Sequence, residues 1–121
     1  MKAQRLREAL DTMAAREGIL GIALVDTVTG MVWQATGKLQ SIEDVASAAT
    51  DYWRLYQRTK HSFEALGVLR VATLMHGKGQ ITLRECGADI LLITVSTRMG
   101  AVDWEQWKAD HPILVEMVNG M

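Results

Sequence analysis

The residues able to do chemistry are few and scattered along the chain. Met75-His76-Gly77-Lys78-Gly79 contains a Gly-Lys-Gly that could cradle a phosphate through backbone N–H groups and a lysine. It lacks the full phosphate-loop spacing, and a strand pattern follows it where a helix is needed, so a hairpin turn with a solvated lysine fits better. His61, His76, His111 and the single cysteine, Cys86, show no metal-ligand spacing, and no metal is expected. Cys86 is the one thiol nucleophile. No residue at helical or strand spacing stands ready to activate it, so it reads as a small, half-buried hydrophobe. Glu85 and Asp89 flank a turn and read as solvated charges rather than an acid–base pair. Asp103 beside Trp104 reads as a helix cap, and His111, on the apolar stripe of a helix, as a hydrogen-bonded interior histidine. With no nucleophile–base pair and no ligand set, no catalytic residue, cofactor or enzymatic activity is expected.

Composition narrows the class further. The 121 residues suit one domain, 1–121, and 49% are apolar, enough to bury roughly two-thirds of the unfolded surface without staples. A net charge of −1 provides no field for nucleic acid or an anionic membrane. No apolar run approaches the ~20 residues of a membrane span. The opening residues lack a secretion signal's apolar core, and one cysteine cannot form an internal disulfide, so a reducing, cytoplasmic setting is expected.

The elements that position these residues follow from periodicity. Residues 2–17 form an amphipathic helix pattern closed by Gly18, with Leu6, Leu10, Met13 and Ala14 on one face. Ile19–Val25 is apolar on both alternating faces, as in a doubly covered strand. Turn residues 26–30 lead to a short strand, Met31–Ala35, and 37–40 form a linker. Ser41 is a candidate N-cap, with Asp44 completing a weak capping box. The helix it opens buries Ile42, Val45, Ala46, Ala49, Trp53 and Tyr56, and turns Thr50, Arg54 and Arg58 outward. Ala48, Tyr52, Leu55 and Thr59 widen its apolar side to about half the circumference, beyond the ~100° stripe of a surface helix. That excess calls for a second surface. Three meandering strands (68–76, 80–86, 89–96) and a last helix follow. The last helix contains Pro112, where a kink or restart is expected.

Ile19–Val25 and Ile90–Val95 are the most continuously apolar strands and belong side by side at the centre. Hairpin neighbours then set the order 2-1-5-4-3, an α/β (α+β) five-stranded antiparallel sheet with helices on both faces. Residues 68–76 become an edge strand, which needs pairing or covering. Two-fold pairing through this edge, with Val68, Arg70, Ala72 and Leu74, would supply the cover, and Ala48, Tyr52, Leu55 and Thr59 would pack against their own copy.

The run Gly18-Ile19-Leu20-Gly21-Ile22-Ala23-Leu24-Val25-Asp26 leading to Thr29-Gly30, the long central helix, and Gly79-Gln80-Ile81 together resemble the roadblock (dynein light-chain roadblock) family, nearly end to end. The resemblance implies the helix-flanked sheet just described and dimerisation by pairing third strands into a ten-stranded sheet. It also implies a non-catalytic platform that binds or regulates a Ras-like GTPase. For such a partner the candidate contacts are Arg54 and Arg58, an i, i+4 basic pair, and Trp33, an aromatic on a short edge strand. The competing expectations are a small-molecule sensor, for which no polar cluster converges on a pocket, and a purely structural subunit.

Overall fold

Two runs of the chain are apolar at nearly every position, and the structure sets them side by side. The structure is a computed structural model and describes residues 2–121. Strand β1 (Ile19–Asp26) pairs antiparallel with β5 (Ile90–Ser96), every residue of which is buried. Around them lie β2 (Val32–Gly37), β4 (Gly79–Glu85) and β3 (Ala72–His76), in the order β2-β1-β5-β4-β3. Continuous hydrophobicity on both faces demands cover on both sides.

Three helices provide that cover. Helices α1 (Lys2–Ala14) and α3 (Trp104–Asn119) pack on one face, where Leu6, Leu10, Trp107 and Leu114 meet Ile22, Leu24 and Leu92. An Arg16–Asp110 ion pair joins the end of α1 to α3. Helix α2 (Ile42–Thr59) covers the other face, laying Ala46, Ala49 and Trp53 on Ala23, Leu91 and Ile93. Its entry is close. A Cβ on Gly21 would stand 2.8 Å from Ile42 Cδ1, and one on the paired Gly37 (φ +124°) 2.6 Å from Gly21 Cα. Gly21 thus lets α2 approach the sheet, and Gly37 lets β2 approach β1.

Several expectations are corrected. Helix α1 stops at Ala14 rather than 17, because Arg16 N–H bonds the carbonyl of Met13, three residues back, tightening the last turn before Gly18. Strand β2 runs to Gly37. Ser41 makes no side-chain cap: at φ −86°, ψ 17° it lies outside the extended region a cap needs. The chain enters α2 through a turn, Ile42 N–H to Leu39 carbonyl. Thr50, assigned to the polar side, is buried, its hydroxyl satisfied by the Ala46 carbonyl at 2.8 Å. Residues 60–66 form a 3₁₀ helix, so β3 starts at Ala72 and not at 68; Val68 and Arg70 precede it. Helix α3 passes through Pro112 unbroken. Pro112 and Lys108 both lie on its exposed side, where water can satisfy the Lys108 carbonyl that proline leaves without its usual donor. Asp103 does cap α3, accepting from Gln106 N–H at 3.1 Å.

Candidate protein-interaction surface

The two edges of the sheet differ. On β2, Val32 pairs with Val25 and Gln34 with Leu24, leaving Trp33 as an extra residue, a bulge that twists the edge. Arg7 of α1 then donates Nη1 to the Ala35 carbonyl at 2.9 Å and to Gln34 Oε1 at 3.2 Å. Asp11 accepts from the Thr36 hydroxyl at 2.6 Å. Bulging and side-chain capping are ways of blunting an edge. On β3 the register with β4 runs evenly from Ala72↔Leu83 to His76↔Gly79, with no bulge. Among the described residues, no hydrogen bond reaches its outer side.

The surplus apolar side of α2 is likewise uncovered. Tyr52 is 59% and Leu55 52% exposed, with Ala48 and Thr59 exposed on either side of them. Ala72 and Leu74 are half-buried, and Ala72 packs against the core cluster that Ala46, Ala49 and Trp53 of α2 cover. Sequence reasoning missed the 3₁₀ helix that follows α2. There Phe63 stacks on Tyr56, 5.5 Å apart at 17°, and Leu66 stands 82% exposed. The signal available was a run of apolar residues (Phe63, Leu66, Val68) outside any helical or strand period. Arg70 is exposed near Arg84, whose guanidinium burial destabilises first and Arg70 second.

Arg54 and Arg58 are not equivalent. Arg54 is half-buried; its Nε donates to the Thr27 carbonyl at 2.9 Å and its Nη2 to the Val28 carbonyl at 3.3 Å, with Asp51 3.7 Å away. It clamps the β1–β2 turn to α2. Arg58 is exposed, with no ion-pair partner among the described residues. Trp33 is 39% exposed.

The groups able to do chemistry stay apart. Cys86 is fully buried, and burial pushes its thiol up to about 12 against the opposing pull of Arg84. A thiol so held is a poor nucleophile. His111 donates from Nε2 to the Glu85 carbonyl at 2.6 Å. Burial holds its imidazole below the usual value; the Glu85 bond opposes this and Arg84 adds to it. Gly77-Lys78 is the β3–β4 turn, and Gly79 opens β4. A Cβ on Gly79 would meet the Ser96 carbonyl at 2.7 Å, so that glycine serves strand approach. Among the described residues, no three His, Cys, Asp or Glu groups come together as a metal site, and no helix is long and apolar enough to cross a membrane. A cleft of about 430 Å³ opens beneath the end of α2, between Trp53, Tyr56, Lys60, Glu64, Leu69 and Glu85.

A five-stranded sheet of order 2-1-5-4-3, with one helix on one face and two on the other, is the roadblock fold. The solved structures it resembles include the gliding protein MglB of Thermus thermophilus (TM-score 0.78, 18% identity, 99% of this chain and 93% of that one). An MglB in a tetrameric arrangement follows (0.77, 17%, 98% and 91%). A Roadblock/LC7 domain from Streptomyces avermitilis is also similar (0.74, 18%, 96% and 93%). No protein-family profile and no curated protein matches the sequence.

Proposed function

We propose that this chain is a non-catalytic, dimeric adaptor or regulator whose partner is a Ras-like small GTPase. The observation that carries the dimer is the pairing of an unblunted β3 edge with the exposed Tyr52–Leu55 stripe of α2. Edge-to-edge pairing of β3 would extend the sheet to ten strands. The two α2 helices would then bury Ala48, Tyr52, Leu55 and Thr59 against each other, with Ala72 and Leu74 beneath and Val68 and Arg70 at the entry. Self-association is also in keeping with the tetrameric arrangement of one MglB of the same fold. The GTPase rests on the roadblock resemblance, with Arg58 and Trp33 as its contacts and Arg54 as the support of the turn beside them.

The test has two parts. Light scattering on the purified protein at high concentration should give twice the chain mass; a monomer rules out the dimer. Binding is then measured to Ras-like GTPases of the source organism, loaded with GDP or a GTP analogue. Affinity that depends on the nucleotide supports the regulator, and no binding in either state leaves only the adaptor.

A further inference from the structure

The β1–β2 turn is far more rigid than a solvent-exposed connection needs to be. Every backbone N–H from Asp26 to Met31 donates a hydrogen bond. Asp26 donates to the Met31 carbonyl, Thr27 to the Asp89 carbonyl and Gly30 to the Asp26 carbonyl. Val28 and Thr29 donate to Asp26 Oδ1, and Met31 to the Thr29 hydroxyl. The Thr27 hydroxyl reaches Asp89 as well, and Arg54 holds the outward carbonyls of Thr27 and Val28.

This frame displays apolar side chains. Val28 is 71% and Met31 64% exposed, and Trp33 lies two residues further on at the bulge. Next to them, a hollow of about 470 Å³ lies between Thr27 of the turn and Asp51, Trp53, Arg54, Gln57 and Arg58 of α2. Of the charged residues lining the hollow, Asp51 is offset by Arg54, which leaves Arg58 without a counter-charge there. Ordered apolar anchors beside a hollow lose little freedom on binding, which is what makes a surface a good docking site.

We infer that the β1–β2 turn is a docking surface separate from the β3–α2 face, and that it takes an acidic segment of another protein. An apolar side chain of that segment covers Val28 and Met31, and a carboxylate faces Arg58. Charge selects this occupant: of the charged residues lining the hollow, Asp51 is paired with Arg54 and Arg58 is not, so a carboxylate is the group the hollow lacks. The turn also stays free in a β3-paired dimer: β2 and β3 are at opposite edges, four strand spacings or about 19 Å apart. The inference rests on the proposed function in one respect: it deepens the reading of Arg58, Trp33 and the Arg54-supported turn as a partner-binding surface by naming the chemistry of the segment that binds there.

The experiment is a phage-displayed random-peptide selection on the wild-type protein, with the Val28→Ser/Met31→Ser variant as counter-selection. Enriched peptides should carry an aliphatic or aromatic residue close to Asp or Glu. Synthesised, they should bind about tenfold more weakly to that variant and a few-fold more weakly to Arg58→Ala, an effect that added salt removes. Their amide chemical-shift changes on the wild-type protein should centre on residues 26–33, a readout that needs no variant to fold. No enrichment, enrichment without acidic residues, or equal binding to the variant overturns the inference. Loss of GTPase binding with peptides still mapping to the turn would sink the proposed partner and leave the docking surface standing.

Discussion

Trp107 donates its indole N–H to the Thr94 hydroxyl at 3.0 Å, a buried bond that joins α3 to the central strand β5. The Arg84 guanidinium lies 5.5 Å from the centre of the same ring, and Trp104 meets it edge-on at 5.3 Å. The indole thus anchors one helical layer while the opposite layer rests on Trp53. Trp107→Phe should cost about 1–3 kcal/mol, since it leaves a buried hydroxyl without its donor. Thr94→Val should cost a similar amount. Urea titrations should show the double variant losing less than the two single losses combined, because the two residues share one bond. Strict additivity would show that the bond is idle.

Leu55→Asp should convert the proposed dimer to monomer while leaving the monomer folded, since Leu55 makes no part of either core. A carboxylate forced into an apolar interface costs about 3 kcal/mol or more, a hundredfold or greater rise in dissociation constant. Sedimentation equilibrium with far-ultraviolet circular dichroism reads both quantities. An unchanged mass would place the interface elsewhere.

The neighbouring arginines separate cleanly by substitution. Arg54→Ala frees two backbone carbonyls and should lower stability by about 1–2 kcal/mol, with Arg54→Lys giving little rescue because an ammonium cannot span both carbonyls as the guanidinium fork does. Arg58→Ala should stay within ~0.5 kcal/mol of wild type, as surface changes do. Equal losses at the two positions would contradict the clamp.

His111 makes stability depend on pH. Its folded pKa lies below its unfolded value, so the unfolded chain takes up the proton first. Its contribution is intact above about pH 6.5 and declines as pH falls from there to the folded value. The urea midpoint should therefore drop between about pH 7.5 and 5.5, and His111→Gln should flatten that slope. An identical slope in the variant would assign it to other groups.

Cys86 reports on opening. With its thiol pushed up to about 12 and no exposed surface, labelling by a thiol reagent at about pH 8 should be far slower than in urea and should track global unfolding. The sign for stability is opposite to that of His111: the contribution is whole below the unfolded value near 9.0 and is lost as pH rises towards 12. Fast native-state labelling would mean that the β4–β5 turn opens locally.

Much of the architecture was legible because it rests on patterns that no local choice can override. The double-sided hydrophobicity of β1 and β5 placed them centrally, and hairpin connections ordered the rest. The surplus apolar flank of α2 could be read from its width alone. What escaped depended on neighbours distant in sequence. Arg54 looked solvated because its acceptors, Thr27 and Val28, lie 27 and 26 residues away. Thr50 looked polar because its bond to Ala46 satisfies it only inside a formed helix. Ser41 has the right side chain for a cap, yet the close docking of Ile42 on Gly21 sets its backbone. The start of β3 was misplaced because the Lys60–Leu66 turn has no apolar period to announce it.

The unequal treatment of the two sheet edges also fixes how far an assembly can grow. A sheet with both edges open can add copies without end, as fibrils do. Here the bulge at Trp33 and the Arg7 cap blunt one side, so among the described residues β3 is the edge left open to strand addition. In the proposed dimer such a subunit has a valence of one: the first two-fold partner would consume it, and strand pairing would terminate at two copies. Any larger complex must be built through a different surface, and its subunit ratio will be decided there.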